Sequence, residues 1–404
     1  MKKPSAGTTA LVAVGVCAAA AMAPFFLPDP TGHGDRDPAP ETAHISFGLP
    51  DGSTGVRPSQ SAGVSVSGGR LDSVTMEPPA GGGTGGTFSA DRAGWTSSGA
   101  LALDTTYTVH AVARDTGGKV VSRDATFSTL GASQALHATV TPSASATVGV
   151  GMPLSIAFDK PVQDEQDVQR AIGVTSTGGQ QVVGHWFGRT RLDFRPETFW
   201  KPGTTVRVRL ALDGVAAAPG IVGVQDKSFD FHVGRAQIST VDAAASTMTV
   251  VRSGKTLREL PVTAGDPEHA TYNGTMVISS KSLKKRMNGA TVGLLDDDGK
   301  PAYDIPDVPH AMRLTTSGTF IHGNYWAAPS VFGAANTSHG CIGLQDVKGG
   351  GDPNTPAAWF YENSLVGDVV IVKNSAGGGN VSAQNGLNDW NMSWSAWKDG
   401  SALA

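Results

Sequence analysis

Cys341 lies in the run Thr337-Ser338-His339-Gly340-Cys341-Ile342-Gly343, and a second histidine, His322, follows the apolar stretch Thr319-Phe320-Ile321. These residue types can do nucleophilic chemistry. A thiol with an ordinary pKa near ~8.5 is mostly protonated at neutral pH, so attack requires a base, and an imidazole within hydrogen-bond reach supplies one. In an extended segment residues i and i+2 point to one face, which would place His339 beside Cys341. Gly340 has no Cβ, so backbone N–H groups around it can approach a developing oxyanion. Two other readings compete. A lone cysteine is commonly an inert buried hydrophobe. A zinc site made by His322, His339 and Cys341 is the second, but no C-x-x-C or H-E-x-x-H spacing accompanies them. The nucleophile reading calls for no metal and no cofactor.

The elements that must hold these residues are mostly strands. Thr205 to Leu212 (TVRVRLAL) alternates apolar and basic positions, and Thr106 to Arg114 (TYTVHAVAR) is a further strand candidate. Thr247 to Val262 reads as a hairpin around Ser253-Gly254, Asn273-Gly274 as a further turn, and Val369 to Lys373 as a closing strand. The clearest helix begins at Thr355-Pro356, a cap followed by proline at the first helical position, and carries Trp359, Phe360 and Leu365. In the tail, Trp390, Trp394 and Trp397 recur at spacings of four and three, which puts them on one helical face packed back onto the third block. The chain divides into a signal peptide or membrane anchor at 1–23, a proline-rich spacer at 24–43, immunoglobulin-like sandwiches at 44–130 and 131–235, a β-rich block at 236–373 and a tail at 374–404. The fold class expected is therefore mainly β, with a short helical cap at the C-terminus.

Composition narrows the function. The 404 residues include only 16% charged ones, with 39% hydrophobic residues, enough for real cores. The net charge of −4 shows no basic excess, which argues against nucleic acid as a partner. Two cysteines, Cys17 and Cys341, cannot form a disulfide scaffold. Lys2 and Lys3, an apolar run from about residue 9 to 22, and Ala21-Met22-Ala23 have the layout of an export signal. Phe25, Phe26 and Leu27 extend the apolar run, so an uncleaved anchor is an alternative; lipidation at Cys17 is a third, disfavoured because Val16 is not small. Apart from that anchor, no membrane contact is expected. Nothing reads as a coiled coil or an unpartnered apolar helix, so a monomer is the expectation.

His322, fifteen intervening residues and then Ser338-His339-Gly340-Cys341 resemble the signature of the L,D-transpeptidases, whose catalytic domain is of the YkuD type. Thr147-Val148-Gly149-Val150-Gly151-Met152-Pro153, Phe158-Asp159-Lys160-Pro161-Val162 and Phe199-Trp200-Lys201-Pro202-Gly203-Thr204 resemble the immunoglobulin-like domain that precedes that domain in the family. Gly386-Leu387-Asn388-Asp389-Trp390-Asn391 resembles its C-terminal cap. The resemblance implies Cys341 as nucleophile, His322 as base, His339 as an orienting residue, and N–H groups around Gly340 and Cys341 as the oxyanion hole. Tyr303, Met287 and Trp326 would face substrate, with Gly323 and Ser338 beside them. The implied substrates are peptidoglycan stem peptides, one as acyl donor and one as acceptor, joined in a 3→3 crosslink with release of D-Ala. Water as acceptor would make a carboxypeptidase, and loss of activity would leave a wall-binding protein. In the family carbapenems acylate this cysteine. The implied location is extracytoplasmic, in the cell wall or on the outer face of the membrane.

Two departures from the family pattern stand out. Gly343 occupies the position, two after the cysteine, where a polar side chain is usual. The segment Lys348-Gly349-Gly350-Gly351-Asp352-Pro353-Asn354 is longer than expected and would border the acceptor side of the cleft. Lys281, Lys284, Lys285 and Arg286 form one basic cluster next to Met287, where the family has a lid, either attracting carboxylate-rich stems or marking a solvated turn. Ser282-Leu283-Lys284-Lys285 matches S-x-x-K by chance, since its companion elements are missing.

Overall fold

A computed structural model describes residues 41–78 and 81–403. The export signal, the Cys17 lipidation alternative and nearly all of the proline-rich spacer lie outside these residues. The protein is mainly β. A first immunoglobulin-like sandwich pairs a sheet of His44–Phe47, Gly63–Ser67, Gly94–Ser97 and Gly86–Phe88 with one of Ser53–Val56, Val120–Thr129, Thr106–Asp115 and Gly69–Glu77. Alternation predicts its core. In the Thr106–Asp115 strand Tyr107, Val109, Ala111 and Ala113 are buried, and the residues between them are not. A second sandwich follows, with Val206, Val208 and Leu210 of the Thr205–Ala211 strand pointing inward and Arg207 and Arg209 outward.

The third unit is built on a nine-stranded sheet. Its order is Gly274–Val277, Val369–Lys373, Gln237–Asp242, Thr247–Arg252, Lys255–Thr263, Ile342–Gln345, Phe320–Asn324, Asp304–Arg313 and Ser280–Asn288. Two neighbouring pairs are parallel, Gln237–Asp242 with Val369–Lys373 and Phe320–Asn324 with Ile342–Gln345; the others are antiparallel. One face of the middle strands packs through Ile321, Ile342 and Leu344 against Ala357 and Phe360 of the Pro356–Glu362 helix. The Thr355 hydroxyl caps that helix by accepting from the Ala358 N–H at 3.2 Å. Leu365 falls beyond its C-terminus, because the helix stops at Glu362.

Asn273-Gly274 is not a hairpin turn. Gly274 opens the strand at one edge of the sheet, and the Asn273 carboxamide donates to the carbonyls of Ser375 and Gly378, tying two distant segments. Gly274 still needs to be glycine, since its φ is +118° and a Cβ would lie 2.6 Å from Asn391 Oδ1.

The tryptophan tail differs from the single stripe expected. Trp390 sits in a 3-10 turn and Trp394 and Trp397 in a separate helix, Trp394–Asp399. Met392 and Ser393 between them are extended, so no continuous helix aligns the three rings. They converge instead on one guanidinium, Arg195 of the second sandwich, whose Cζ lies 4.8, 5.5 and 4.3 Å from the ring centres of Trp390, Trp394 and Trp397. Trp397 is fully buried and donates to Val183 O; Trp390 donates to Gly151 O. On the way, Asn388 accepts from Val277 N–H and Asn391 brackets Thr275. The tail thus runs from the nine-stranded sheet onto the second sandwich and joins them. Val277 and Val369 belong to the same apolar core as the second sandwich, and Gly149 packs on the Gly367-Asp368 backbone where a Cβ would clash at 2.3 Å. The first sandwich meets the second through Arg57 and Ser59 on Asp213.

Trp397→Ala removes the largest buried side chain of this junction. Stability should fall by about 3–5 kcal/mol in denaturant titration, and the tail should become the first site of protease cleavage. An unchanged midpoint with a protected tail would mean that the junction does not depend on this ring.

Candidate active site

The parallel pair of Phe320–Asn324 and Ile342–Gln345 assembles the chemistry. Register places His322 opposite Gly343, and Thr263 pairs with Gly343 from the other side. Alternation then sends His322 and Asn324 to the face opposite the apolar core, with Ile321 pointing into it. Gly340 precedes the strand with φ +99°, a left-handed conformation that favours glycine. The 339–341 segment is therefore not extended as the i, i+2 argument assumed. His339 is exposed and Cys341 is buried, yet both reach one cavity of about 360 Å³. Met287, Tyr303 and Ile305 close it on one side, and His322, Asn324 and Trp326 on another; Ser338 completes the rim.

Cys341 is 9% exposed and sits in a small apolar cluster with Met287, Val308, Ala311 and Phe320. Burial pushes the thiol up to about 11, only partly offset by the Phe320 backbone. Its Sγ–H donates to Gly318 O at 3.6 Å. Among the described residues it makes no hydrogen bond to an imidazole, whereas the sequence reading expects one within reach. His322 is 5% exposed, and burial lowers its pKa against the opposing pull of Gly323 O and the Asp346 charge. The resting pair is therefore a neutral thiol and a neutral imidazole. His322 Nδ1 lies 3.1 Å from Gly323 O, an acceptor only, so Nδ1 carries the proton and Nε2 keeps the lone pair. Trp326 stacks on this ring, with centroids 5.6 Å apart and planes 18° apart, and is itself 46% exposed.

His339 lies between two rings, 4.8 Å from His269 and 5.3 Å from Tyr303. His269 Nδ1 is 3.1 Å from Asp266 Oδ1, and Asp266 N–H donates to Ser338 O. The Ser338 hydroxyl donates to Cys341 O at 2.6 Å and so ties the loop to its own end. Among the described residues the backbone N–H groups of Gly340 and Cys341 donate to no backbone acceptor. Burial, then the nearby Cys341, raises the Tyr303 hydroxyl.

Gly323 does not line the cavity. It alternates to the opposite face, where a Cβ would stand 2.0 Å from Asp346 Oδ2; its contribution is the carbonyl that holds His322. Behind it lies a buried group invisible in the sequence. His310 Nδ1 is 2.7 Å from Asp346 Oδ2, and Asp346 Oδ1 accepts from Thr355 Oγ1 and Val347 N–H. His310 holds a φ of +51°. No local spacing connects residues 36 positions apart; only the sheet does.

The glycine-rich segment packs outside the cleft rather than along it. Gly350 abuts Pro309 and His310, and none of residues 348–354 reaches the cavity wall. The basic cluster is also dispersed, because it lies on a strand and not a turn. Lys281 donates to Tyr361 O and Ser364 O, Arg286 pairs with Asp304, and only Lys284 and Lys285 remain exposed without such ties.

Two measurements test this geometry. Iodoacetamide modification of Cys341, followed by mass, should rise about tenfold per pH unit between pH 7 and 9, as a buried neutral thiol requires. A plateau at neutral pH would reveal a resting thiolate instead. Gly323→Ala should cost on the order of 1–3 kcal/mol in denaturant titration by pushing against Asp346, and a neutral result would mean that this packing is loose.

Comparison with known proteins adds to this geometry. Residues 53–216 match the family model described as a bacterial Ig domain, and residues 236–372 match the L,D-transpeptidase catalytic domain. L,D-transpeptidase 2 of Mycobacterium tuberculosis (strain CDC 1551 / Oshkosh) is 31% identical over 360 residues, which cover 89% of this chain and 85% of that protein. L,D-transpeptidase 5 of Mycobacterium tuberculosis (strain ATCC 25618 / H37Rv) is 29% identical over 90% of this chain and 78% of its own length. A solved L,D-transpeptidase from Mycobacterium smegmatis is 29% identical and covers 59% of this chain and 99% of that one, with a TM-score of 0.46. A cavity walled by Cys341, His322 and His339 on a YkuD-type sheet, carried behind Ig-like sandwiches, agrees with the sequence match over 89% of the chain: the chain belongs to the L,D-transpeptidase family.

Proposed function

We propose that the protein forms 3→3 crosslinks in peptidoglycan through a cysteine acyl-enzyme. The donor is a tetrapeptide stem. Cys341 loses its proton to His322 Nε2, and the thiolate attacks the carbonyl of the third, diamino acid residue. Negative charge moves to that oxygen, which the N–H groups of Gly340 and Cys341 receive. The carbon–nitrogen bond then breaks, the imidazolium returns its proton to the leaving amine, and D-Ala departs. A side-chain amine of a second stem attacks the thioester, the amide forms, and the thiol is regenerated. His339 orients the loop, and Tyr303, Met287, Trp326 and Ser338 contact the peptide.

The observation that carries this reading is the convergence of the thiol and a lone-pair-bearing imidazole on one cavity, beside a loop whose Gly340 and Cys341 N–H groups donate to no backbone acceptor among the described residues. For sulfur to reach the imidazole, its contact with Gly318 O must first break. Contacts in free enzymes are commonly longer than in their complexes. The same cavity with water as acceptor would trim tetrapeptides, and without turnover it would merely bind the wall. We place the enzyme outside the cytoplasm as a monomer, its sandwiches at 44–130 and 131–235 carrying the catalytic unit at 236–373.

Intact mass after meropenem should increase by one adduct in the wild type and not in Cys341→Ala. With a tetrapeptide and an acceptor amine, the crosslinked dimer should form together with free D-Ala. Tripeptide alone, with acceptor present, would identify a carboxypeptidase; no product and no adduct would leave a binding protein. His322→Ala should slow acylation by about 10²–10⁴-fold, the range of a lost general base. Equal, mild losses in His322→Ala and His339→Ala would remove His322 from that role.

A further inference from the structure

Gly343 leaves a gap in the row of side chains between Thr263 and His322, and the gap is filled from the neighbouring strand. A Cβ built at Gly343 would meet Thr263 Cγ2 at 2.8 Å, Asn324 Nδ2 at 3.3 Å and Asn324 Cβ at 3.4 Å. The Asn324 side chain therefore lies over Gly343, two residues along the same strand face from His322, and it lines the cavity that holds Cys341. Its orientation is determined. Oδ1 accepts from Trp326 N–H at 3.2 Å and from Ala327 N–H at 3.0 Å, so the amide nitrogen is the end that remains. Nδ2 makes no hydrogen bond among the described residues. The buried polar side-chain atoms that lack partners there are Arg195 Nε, Asp213 Oδ1, Ser239 Oγ and Asp389 Oδ2. Nδ2 is not one of these sealed atoms, although Asn324 is only 5% exposed: its open surface is the cavity.

We propose that Asn324 is a substrate-binding residue whose Nδ2 donates a hydrogen bond to a backbone carbonyl oxygen of the donor stem peptide, beside the carbonyl that Cys341 attacks. This rests on the proposed function. A carboxamide nitrogen is a donor only, and the amide carbonyls next to the scissile bond are the acceptors a stem peptide brings to this row. The Oδ1 bonds hold the donor in place before substrate arrives, so little freedom is lost on binding.

Asn324→Asp separates this role from a structural one. The carboxylate keeps an oxygen for Trp326 and Ala327 N–H and loses the donor. Both Asn324→Asp and Asn324→Ala should lower kcat/KM for the tetrapeptide at least tenfold, mainly through KM. Iodoacetamide modification of Cys341, which needs no carbonyl contact, should stay within threefold of wild type across pH 6–9. An Asn324→Asp enzyme within threefold of wild-type kcat/KM overturns the proposal, because the loop anchor alone would then suffice. Alkylation that falls as far as turnover overturns it as well, since the loss would then lie in the thiol or imidazole. Wild-type turnover of the tetrapeptide reports separately on the proposed function.

Discussion

The site depends on one parallel strand pair in the middle of a mixed sheet. Parallel neighbours cannot be joined by a tight turn and need a crossover of a dozen or more residues. Here the chain leaves the Phe320–Asn324 strand after His322 and returns as Ile342–Gln345 after Cys341. The crossover carries Trp326, Ser338, His339 and Gly340, so both ends of the active site belong to one loop whose span the sheet determines. Because Ile321, Ile342 and Leu344 are fully buried against the helix, a register slip by one residue would turn His322 into the core. Packing on the silent face is what holds the imagined chemistry of the other face in place.

Burial sets the electrostatics of this pair as well as its geometry. Sulfur enclosed by Met287, Phe320 and Val308 is costly to ionise, and an imidazole 5% exposed is costly to protonate. The resting state is uncharged, and a thiolate–imidazolium pair gains from mutual attraction only when sulfur and ring approach one another. A neutral thiol is also a weak nucleophile toward adventitious electrophiles. Met287, on the strand pair beside the sulfur, and Tyr303, just before its second strand, wall the cavity on that side. Enclosure by that strand pair thus controls both access and ionisation.

Much of this was legible from local pattern. The strands with period-two alternation, the Ser253-Gly254 hairpin and the Thr355 cap follow from short-range rules, whereas Met287, Tyr303 and Trp326 are placed at the site by the family resemblance. The failures share a cause: each needed knowledge of which face or which partner the sheet would choose. The resemblance sets Gly323 among the substrate-facing residues, but as the strand neighbour of His322 it points to the opposite face. Lys281 and Arg286 read as one basic cluster because charge was counted along the chain, whereas Tyr361, Ser364 and Asp304 absorb them across it. The tail tryptophans have helical spacing without a helix, since a cationic partner 195 positions into the chain, not periodicity, gathers them. His310, Asp346 and Asn324 left no signal at all, for their roles exist only once distant strands are side by side.

Gly343 illustrates how such a choice is distributed over two strands. A side chain at this position would have to displace the methyl of Thr263 and the carboxamide of Asn324, whose oxygen is already committed to the Trp326 turn. Glycine here is therefore the consequence of a filled volume and not an absence of polarity. A polar group stands in the space next to His322, and it is anchored from the strand that bears His322 rather than from the strand that follows Cys341. Residue type at a single motif position is then a poor guide to the chemistry of the site, and the occupied volume between neighbouring strands is the quantity to compare.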